Sequence, residues 1–420
     1  MPTASTATTA PLPGCTPLFD AAALRDADRR AIEDYAVPSL ILMERAGLAV
    51  ARCIVERFPG ARAAVVLAGP GNNGGDGWVV ARHLAEEGWT VTVRVPGGRP
   101  PGTPDGAAMA TIAERLGITT EAFSAGDVAP PEAVLVDALR GTGATGAPRG
   151  EIGAAVEWLA AQTGPVVAVD MPSGVESDTG RVPGAAVRAA LTVTFHGDMP
   201  GLRVAPGREA AGDVVVADIG IPAVVASTPV AWLAGGGARA AIPRKRDRSD
   251  KYGAGAVLVV AGSPGLTGAA CLAARATLRA GAGLTVVAAP EAVQPAIAAQ
   301  LLEVMCAPVP DIDGVLAPAS VDEVLRQSRR TAVVAVGPGL GRNPATTGAV
   351  AQILAGTDLP VVLAADGLWH AAQAPEMLTR RDAPTVITPH TGEAARLLGV
   401  ERAAVDAGRL DAARTLAQRT

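Results

Sequence analysis

The sequence predicts two α/β units, each with helices packed on a mostly parallel sheet. Short apolar runs of strand length alternate with longer stretches of helical spacing along most of the 420 residues. Several of these runs end in glycine-rich segments, which is typical of the carboxyl ends of parallel strands. Hydrophobic residues make up 49% of the chain but aromatic residues only 3%, so Ala, Val and Leu must build the cores. Small apolar side chains suit this architecture, and the length favours two domains over one.

The first unit is predicted to span residues 18–225 and to be a Rossmann-like, doubly wound sheet. Residues 1–17 are rich in Thr, Ala and Pro, and they are predicted to be a disordered extension and not a signal peptide. Two helices are predicted next, at residues 20–36 and 39–58, separated by Val37-Pro38. The predicted strands cover residues 63–68, 90–95, 133–136, 165–169, 190–195 and 213–217, and further helices cover residues 78–87, 105–116 and 152–162.

The glycine-rich segment GPGNNGGDG, residues 69–77, joins the first predicted sheet strand to a helix. Gly69, Gly71 and Gly74 satisfy the G-x-G-x-x-G pattern, whose glycines permit positive φ and let a phosphate approach N–H groups at a helix N-terminus. This pattern alone would indicate a dinucleotide-dependent dehydrogenase. The acidic residue expected about 20 residues further on is absent, because the second strand ends in Arg94 and then Pro96. We therefore disfavour the dehydrogenase.

Three acidic residues lie in or next to the predicted turns after strands. Asp76 is in the glycine-rich segment, Asp137 ends the strand AVLVD and Asp170 ends the strand PVVAVD. Because the carboxyl ends of parallel strands face one crevice, we expect these carboxylates to converge. An acid at a strand end is often only a helix N-cap, but each of these lies among Gly and Ser or Thr. Such oxygen ligands suit a hard cation, and potassium could be held by Asn73, Asp137 and nearby carbonyl groups, with one carboxylate left for proton transfer.

Residues 226–249 are predicted to link the first unit to a second one at residues 250–420. Periodicity lapses there, and a basic cluster without interleaved aromatic residues favours a solvated linker over a nucleic-acid site; it consists of Arg244, Lys245, Arg246 and Arg248. A second alternation of strands and helices begins at Ala256. Glycines follow its strands and suit a phosphate-bearing ligand: Gly262, Gly265, Gly268, Gly337, Gly339 and Gly341. His390 also follows a strand, and the residues alone leave open whether it is functional or an ordinary loop histidine.

Composition argues against several kinds of partner. The net charge of −5 disfavours broad nucleic-acid binding, which requires a concentrated basic face. The four cysteines lie far apart without a C-x-x-C pair, which disfavours zinc sites and disulfides and predicts a cytoplasmic protein. No uninterrupted apolar run reaches the roughly 20 residues of a membrane-spanning helix. We expect a homo-oligomer that acts on small molecules.

Three segments of the first unit resemble one known family in order and spacing. GPGNNGGDG, VDALRGTG and VDMPSGVESDTG are similar to the signature segments of the NAD(P)H-hydrate epimerase family, over about residues 18–222. The resemblance implies interconversion of the R and S epimers of NAD(P)H hydrated at C6 of its nicotinamide ring. It also implies that Asn73, Asp137 and Ser173 hold potassium and that Asp170 is the general acid and base. The implied hydrate-binding residues are Asn72, Asn73, Gly74, Gly75, Asp76, Gly141, Thr142, Gly143, Ala144, Thr145, Gly146, Ala147 and Asp170.

Two positions of the first unit depart from the family's pattern. Arg140 stands where many relatives have an apolar residue, and Met199 stands where a lysine is common before Pro-Gly. We expect both to alter the rim of the pocket and neither to touch the chemistry.

The second unit resembles the ADP-dependent NAD(P)H-hydrate dehydratase family, which has a ribokinase-like fold. The matching segments are KYGAGAVLVVAGSPGLTGAA, VGPGLG, ADGL and TPHTGE. The resemblance implies that ADP or ATP, with magnesium, phosphorylates the hydroxyl of the S hydrate and that phosphate then leaves, which restores NAD(P)H. It implies contacts of Ala269, Gly339 and His390 with the hydrate, and it places Lys251 and Tyr252 near the opening of the domain.

The family continues beyond the position of Thr420 with a Lys-Gly segment and a Gly-x-Gly-Asp segment that supplies its general base, and Ala364 replaces another family Asp. We therefore expect an incomplete second domain, a shortened chain and impaired dehydration. Two alternatives stay open at this point: a non-catalytic nucleotide-binding or scaffolding protein, and a small-molecule kinase of the ribokinase type.

Overall fold

The computed structural model describes residues 13–99, 101–225, 227–244, 250–251 and 253–420. The chain divides into two compact units, Met1–Ile242 and Pro243–Thr420. Several residues with predicted roles lie outside the described ranges: residues 1–12 of the predicted extension, Lys245, Arg246 and Arg248 of the basic cluster, and Tyr252.

The first unit is built on a doubly wound parallel sheet, as predicted, but the sheet has seven strands and not the predicted six. Its strands are β2 (Ala63–Ala68), β3 (Thr90–Val95), β4 (Thr119–Ala122), β5 (Val134–Ala138), β6 (Val166–Val169), β7 (Leu191–Phe195) and β8 (Asp213–Ala217). The strand order is β4-β3-β2-β5-β6-β7-β8, so the direction of winding reverses between β2 and β5. In a doubly wound sheet, this reversal opens a crevice at the carboxyl ends of the two strands.

The helices of the first unit cover both faces of this sheet. They are α1 (Ala21–Glu33), α2 (Ser39–Arg57), α3 (Asn72–Glu86), α4 (Pro104–Arg115), α5 (Gly150–Ala160) and α6 (Gly207–Ala211). One core cluster packs α2, α3 and α4 on the sheet around Val66, Val79 and Val136. Another packs α5 on the sheet around Leu67, Leu135 and Trp158. The predicted strands at residues 63–68, 90–95 and 213–217 have the predicted bounds, whereas β4 was not predicted because it lacks apolar alternation and is exposed.

The predicted extension and linker both contain part of a small second sheet. Strand β1 (Cys15–Leu18) pairs in antiparallel register with β9 (Ala231–Ala234). Pro17 lies opposite Trp232 in this ladder. Residues 15–17 are therefore not disordered, and residues 231–234 are not an irregular linker. Periodicity did not predict this pair because each strand is only four residues long.

The second unit contains a six-stranded parallel sheet in the order β12-β11-β10-β15-β16-β17. Its strands, with a short β13–β14 hairpin, are β10 (Ala256–Val260), β11 (Leu284–Pro290), β12 (Met305–Val309), β13 (Asp311–Ile312), β14 (Val315–Leu316), β15 (Val333–Val336), β16 (Val361–Leu363) and β17 (Thr385–Ile387). Winding reverses between β10 and β15. Both glycine-rich segments predicted for phosphate binding follow these two strands and therefore lie at the crevice.

The helices of the second unit pack on both faces of that sheet. They are α7 (Thr267–Ala280), α8 (Gln294–Ala298), α9 (Val321–Ser328), α10 (Pro344–Ala355), α11 (Asp366–Gln373), α12 (Glu376–Thr379), α13 (Thr391–Leu398), α14 (Arg402–Ala407) and α15 (Arg409–Arg419). Val259, Ala274 and Ile297 represent one core cluster, and Val334 and Leu354 belong to the other. The predicted α/β architecture is therefore present in both units.

Candidate functional site

The glycine-rich segment after β2 is shorter as a loop than predicted. Helix α3 begins at Asn72, so the second half of GPGNNGGDG forms its first turns. The expected positive φ is wrong: Gly71 has φ −96°, and the other glycines of this segment also lie outside the left-handed region. Gly69 and Gly74 instead permit close packing, because a Cβ on Gly69 would collide with the carbonyl of Leu139 and one on Gly74 would collide with the carbonyl of Gly69.

Asp170 lies immediately after β6 with a left-handed backbone, φ +66°. Its carboxylate accepts hydrogen bonds from the backbone N–H of Thr142 at 2.7 Å, from the Thr142 hydroxyl, and from the Thr194 hydroxyl at 3.3 Å. Burial raises the pKa of Asp170, and the bonds from Thr142 and Thr194 partly oppose that rise. The carboxyl group is therefore held in a fixed orientation and favours its protonated form more than an exposed aspartate does.

Asp137 and Ser173 form a buried pair next to Asp170. Asp137 accepts the backbone N–H and the hydroxyl of Ser173, both at 2.7 Å, and the backbone N–H of Leu139 at 3.3 Å. The backbone N–H of Arg140 in turn donates to the Ser173 hydroxyl oxygen at 3.0 Å. Burial raises the pKa of Asp137 to about 6, although the Ser173 hydrogen bonds lower it. The pair ties the connection after β5 to the connection after β6.

Asn73, in the first turn of α3, has a buried side chain without a partner. Its exposed fraction is 9%, and neither its amide nitrogen nor its amide oxygen has a hydrogen bond. Buried polar atoms are rarely left unpaired. A Cβ added to Gly141 would lie 2.7 Å from an Asp170 carboxylate oxygen and 3.3 Å from the Asn73 amide oxygen. The amide of Asn73 and the carboxylate of Asp170 therefore face each other across Gly141.

The predicted potassium ligands fit a monovalent cation in two respects. Asn73 offers an unpaired buried oxygen. Asp137 offers a buried carboxylate whose pKa is raised by burial, and the hydrogen bonds from Ser173 and Leu139 offset this rise only in part. Oxygen donors of this kind suit a hard cation. Within the described ranges, no three His, Cys, Asp or Glu side chains are grouped as metal ligands. The predicted set is of a different kind, because it combines an amide, a hydroxyl and one carboxylate.

These elements border a cavity of about 510 Å³ at the crevice between β2 and β5. Its lining consists of Arg25, Gly71, Asn72, Asn73, Asp76, Leu139, Arg140, Gly141, Thr142, Gly143, Ala144 and Asp170. The predicted convergence of the acids is thus confirmed for Asp76 and Asp170. Asp137 does not line the cavity and lies behind it.

Asp76 contributes the second carboxylate of the cavity. Burial, followed by the charges of Asp170 and Asp28, raises the pKa of Asp76 well above its usual range. Asp76 and Asn72 also line a neighbouring cavity of about 140 Å³, together with Asp28 and Asp105. The cavity therefore contains two carboxyl groups in different environments, because Asp170 has hydrogen-bond donors and the pKa of Asp76 is governed by burial and nearby negative charge.

Residues 141–147 form the loop that carries the other predicted hydrate-binding side chains. Gly141, Thr142, Gly143 and Ala144 line the cavity. Thr145 and Gly146 lie outside its lining, and their carbonyl groups accept hydrogen bonds from Arg140 at 2.8 and 3.1 Å.

The remaining residue of this loop, Ala147, packs near Gly184. Arg140 lies at the cavity, as predicted for the rim. Met199 does not lie at the rim of the cavity, because it is fully buried in a cluster with Met171 and Leu202.

In the second unit, the structure brings two of the three predicted contact residues together. A Cβ on Gly339, whose φ is +66°, would lie 3.1 Å from the Ala269 side chain. His390 follows β17, which is two strands from β15, a lateral separation of about 10 Å at the same sheet edge. His390 caps α13, since its ring Nδ1 accepts from the backbone N–H of Gly392 at 3.0 Å. The contacts of His390 are therefore those of a helix-capping loop histidine.

Sequence reasoning missed two residues of the first site. Thr194 lies on β7 and donates to Asp170. Arg25 lies on α1 and lines the cavity. No short motif contains Arg25, which precedes the glycine-rich segment by more than forty residues, so only the packing of α1 reveals it.

Comparisons with known proteins match each of the two units to a family. The family described as YjeF-related protein N-terminus matches residues 39–201, and the family described as NAD(P)H-hydrate dehydratase matches residues 257–420. The bifunctional NAD(P)H-hydrate repair enzyme Nnr of Salinibacter ruber is 39% identical, over 96% of this chain and 79% of the relative. The Nnr enzyme of Moorella thermoacetica is 39% identical over 94% and 77%, and that of Escherichia coli is 34% identical over 94% and 74%.

Among solved structures, the alignment with ADP/ATP-dependent NAD(P)H-hydrate dehydratase from Bacillus subtilis covers 43% of this chain and 60% of that protein's chain. The identity is 30% and the TM-score is 0.35. None of the helices in the described part of the chain combines the length and apolar character needed to cross a bilayer. Two relatives at 39% identity, aligned over more than nine tenths of this chain, decide the family. The chain belongs to the family of bifunctional NAD(P)H-hydrate repair enzymes.

Proposed function

We propose that the first unit epimerises NAD(P)H hydrate in the cavity between β2 and β5, with Asp170 as the catalytic acid and base. The observation that carries this proposal is the position of Asp170. Its carboxyl group lines the cavity, is oriented by Thr142 and Thr194, and faces the unpaired amide of Asn73 across Gly141.

The proposed reaction breaks and reforms one C–O bond of the hydrate. The ring nitrogen donates its electron pair toward C6 while protonated Asp170 transfers its proton to the departing hydroxyl, so that water leaves. Water then adds to the opposite face of the ring, and its proton returns to Asp170. A general acid works best when its pKa lies near the working pH, and burial moves the pKa of Asp170 in that direction.

Asn73, Asp137 and Ser173 would hold the potassium ion of the first unit. A bound cation would supply positive charge that offsets the buried carboxylate of Asp137 and satisfies the amide oxygen of Asn73. Asp137 and Ser173 themselves fix the loop that carries Thr142, because their hydrogen bonds join the connections after β5 and β6.

We assign the second step, dehydration of the S hydrate with ADP or ATP and magnesium, to the second unit. The support is the crevice between β10 and β15, where Gly265, Gly337 and Gly339 adopt positive φ and leave backbone near an incoming phosphate free of side chains. Ala269 and Gly339 lie together there, whereas His390 would approach the hydrate from the loop after β17.

Family membership confirms the predicted enzyme class, repair of hydrated NAD(P)H, and does not favour the scaffolding or kinase alternatives. The assignment of Asp170 is tested by following conversion of purified R hydrate to S hydrate by chromatography. We expect Asp170→Asn to lower kcat by at least about 100-fold.

Asp213→Asn is the matched control, since Asp213 is exposed, lies on the edge strand β8 and forms an ion pair with Arg57. An Asp170→Asn variant with full activity would remove Asp170 from the mechanism. A wild-type chain that does not exceed the uncatalysed rate would contradict the proposed epimerase function itself.

A further inference from the structure

Arg25, on α1, lines the epimerase cavity. The side chain is exposed, and the described residues include no salt-bridge partner for it. Arg29, on the same helix, does have salt-bridge partners, because it pairs with Asp26 and Glu33 at 2.6 Å each. Arg25 is therefore the arginine of this helix that is left available to a ligand in the cavity.

The N-terminus of α1 is anchored to the same segment that supports the catalytic loop. The backbone N–H of Ala21 donates to Asp178 at 2.7 Å. The hydroxyl of Ser177, next to Asp178, lies 3.1 Å from the carbonyl oxygen of Thr142 and donates to it. Arg25 lies about one helical turn after Ala21. Its position is therefore coupled through this segment to Thr142, which holds the carboxylate of Asp170.

Among the described residues that line the cavity, one guanidinium group, that of Arg25, has no ion-pair or hydrogen-bond partner. Asp76 and Asp170 supply the carboxyl groups of the cavity, and Arg25 and Arg140 supply its cations. Arg140 already donates to two loop carbonyl groups. Asp28, three residues after Arg25, lines the neighbouring cavity and forms no ion pair with Arg25 among the described contacts. A negatively charged part of the substrate would be attracted to the guanidinium group of Arg25.

We propose that Arg25 binds a phosphate group of the hydrated dinucleotide and so holds the substrate in the epimerase cavity. This inference rests on the proposed epimerase function. Both NADH and NADPH hydrates carry a pyrophosphate, and NADPH hydrate also carries a 2′-phosphate. Arginine suits either group because its planar guanidinium can donate two parallel hydrogen bonds to phosphate oxygens. The N-terminus of α3, at Asn72 on the same cavity, adds backbone N–H groups of favourable polarity.

The test compares Arg25→Ala, Arg25→Lys and the control Arg29→Ala on three substrates: NADH hydrate, NADPH hydrate and the hydrate of reduced nicotinamide riboside, which has no phosphate. For Arg25→Ala we expect KM to rise about tenfold for the dinucleotides, with kcat nearly preserved because the lost contact is made equally in ground and transition states. Arg25→Lys should recover part of the loss. Arg29→Ala should match the wild type on all substrates.

The three substrates separate the possible sources of the effect. An equal rise in KM for both dinucleotides assigns Arg25 to the pyrophosphate, and a rise for NADPH hydrate alone assigns it to the 2′-phosphate. An unchanged KM for both dinucleotides, or an equal rise for the phosphate-free riboside, would overturn the proposal. If the wild type shows no turnover, the proposed epimerase function fails. Calorimetric titration of NADPH into the wild type and Arg25→Ala then still tests the phosphate contact. Equal Kd values for the two proteins would overturn the proposal.

Discussion

Replacing Asp137 by Asn tests the electrostatics of the buried pair behind the cavity. The substitution removes the titratable charge and keeps the size of the side chain. Asp137 is fully buried, and its carboxylate accepts three hydrogen bonds, two from Ser173 and one from Leu139. The Asn side chain loses at least one of these acceptor interactions, which costs about 1–3 kcal/mol at every pH. The pH dependence, by contrast, belongs to the carboxyl group alone.

The magnitude follows from the pKa of Asp137, which burial raises from 3.8 to about 6. A shift of about 2 pKa units corresponds to about 3 kcal/mol. Because the folded pKa exceeds the unfolded one, the native state keeps its proton between about pH 4 and pH 6 while the unfolded chain releases it. The corresponding stability is present below about pH 4 and is lost as the pH rises through about 6. Asp137→Asn should lack this part of the pH dependence.

The assay is urea unfolding of wild type and Asp137→Asn between about pH 4 and pH 7, in potassium-free buffer. Tryptophan fluorescence reports mainly the first unit, since four of the five tryptophans, all but Trp369, lie within Met1–Ile242. The difference in unfolding free energy should change by about 3 kcal/mol across this range, in favour of the variant at the higher pH.

Potassium provides the second half of this test. About 0.1 M potassium chloride, compared with choline chloride at equal ionic strength, should stabilise the wild type more than the variant at neutral pH. A difference between wild type and variant that does not vary with pH would refute the electrostatic reasoning. Equal stabilisation of both proteins by potassium would refute Asp137 as a ligand.

Two further predictions concern single substitutions, one at Gly141 and one at His390. Gly141→Ala should abolish most epimerase activity without unfolding the chain, because its Cβ would lie 2.7 Å from an Asp170 oxygen. The control is Gly126→Ala, because Gly126 is not among the residues that line the cavity and its Cβ would meet open space. Equal activity of the two variants would contradict the close approach. His390→Leu should destabilise α13 by about 1 kcal/mol because its N-cap is lost, and His390→Asn should retain most of that stability. Hydrogen exchange of α13 measures both, and equal protection of the two variants would count against the capping role.

The sequence predicted the sheets and the convergence of Asp76 and Asp170 because apolar runs and strand-end acids are local patterns. It could not predict Arg25, whose relation to the cavity depends on how α1 packs. The sequence also could not predict the small sheet of Cys15–Leu18 with Ala231–Ala234, because the pairing joins two short segments more than 200 residues apart. The capping role of His390 requires the ring orientation, which no spacing encodes.

The glycines and the polar residues of GPGNNGGDG contribute to the site in different ways. Gly69 and Gly74 lack the positive φ of a phosphate loop. Gly69 lets the connections after β2 and β5 pack against each other, and Gly74 lets the first turn of α3 pack against the carbonyl of Gly69. That contact places Asn73 opposite Gly141, whose missing Cβ leaves the gap between the Asn73 amide and the Asp170 carboxylate. The geometry of the proposed potassium ligands and of the proposed catalytic acid is therefore set by the same backbone contacts. A substitution that separates the two connections should weaken cation binding and catalysis together.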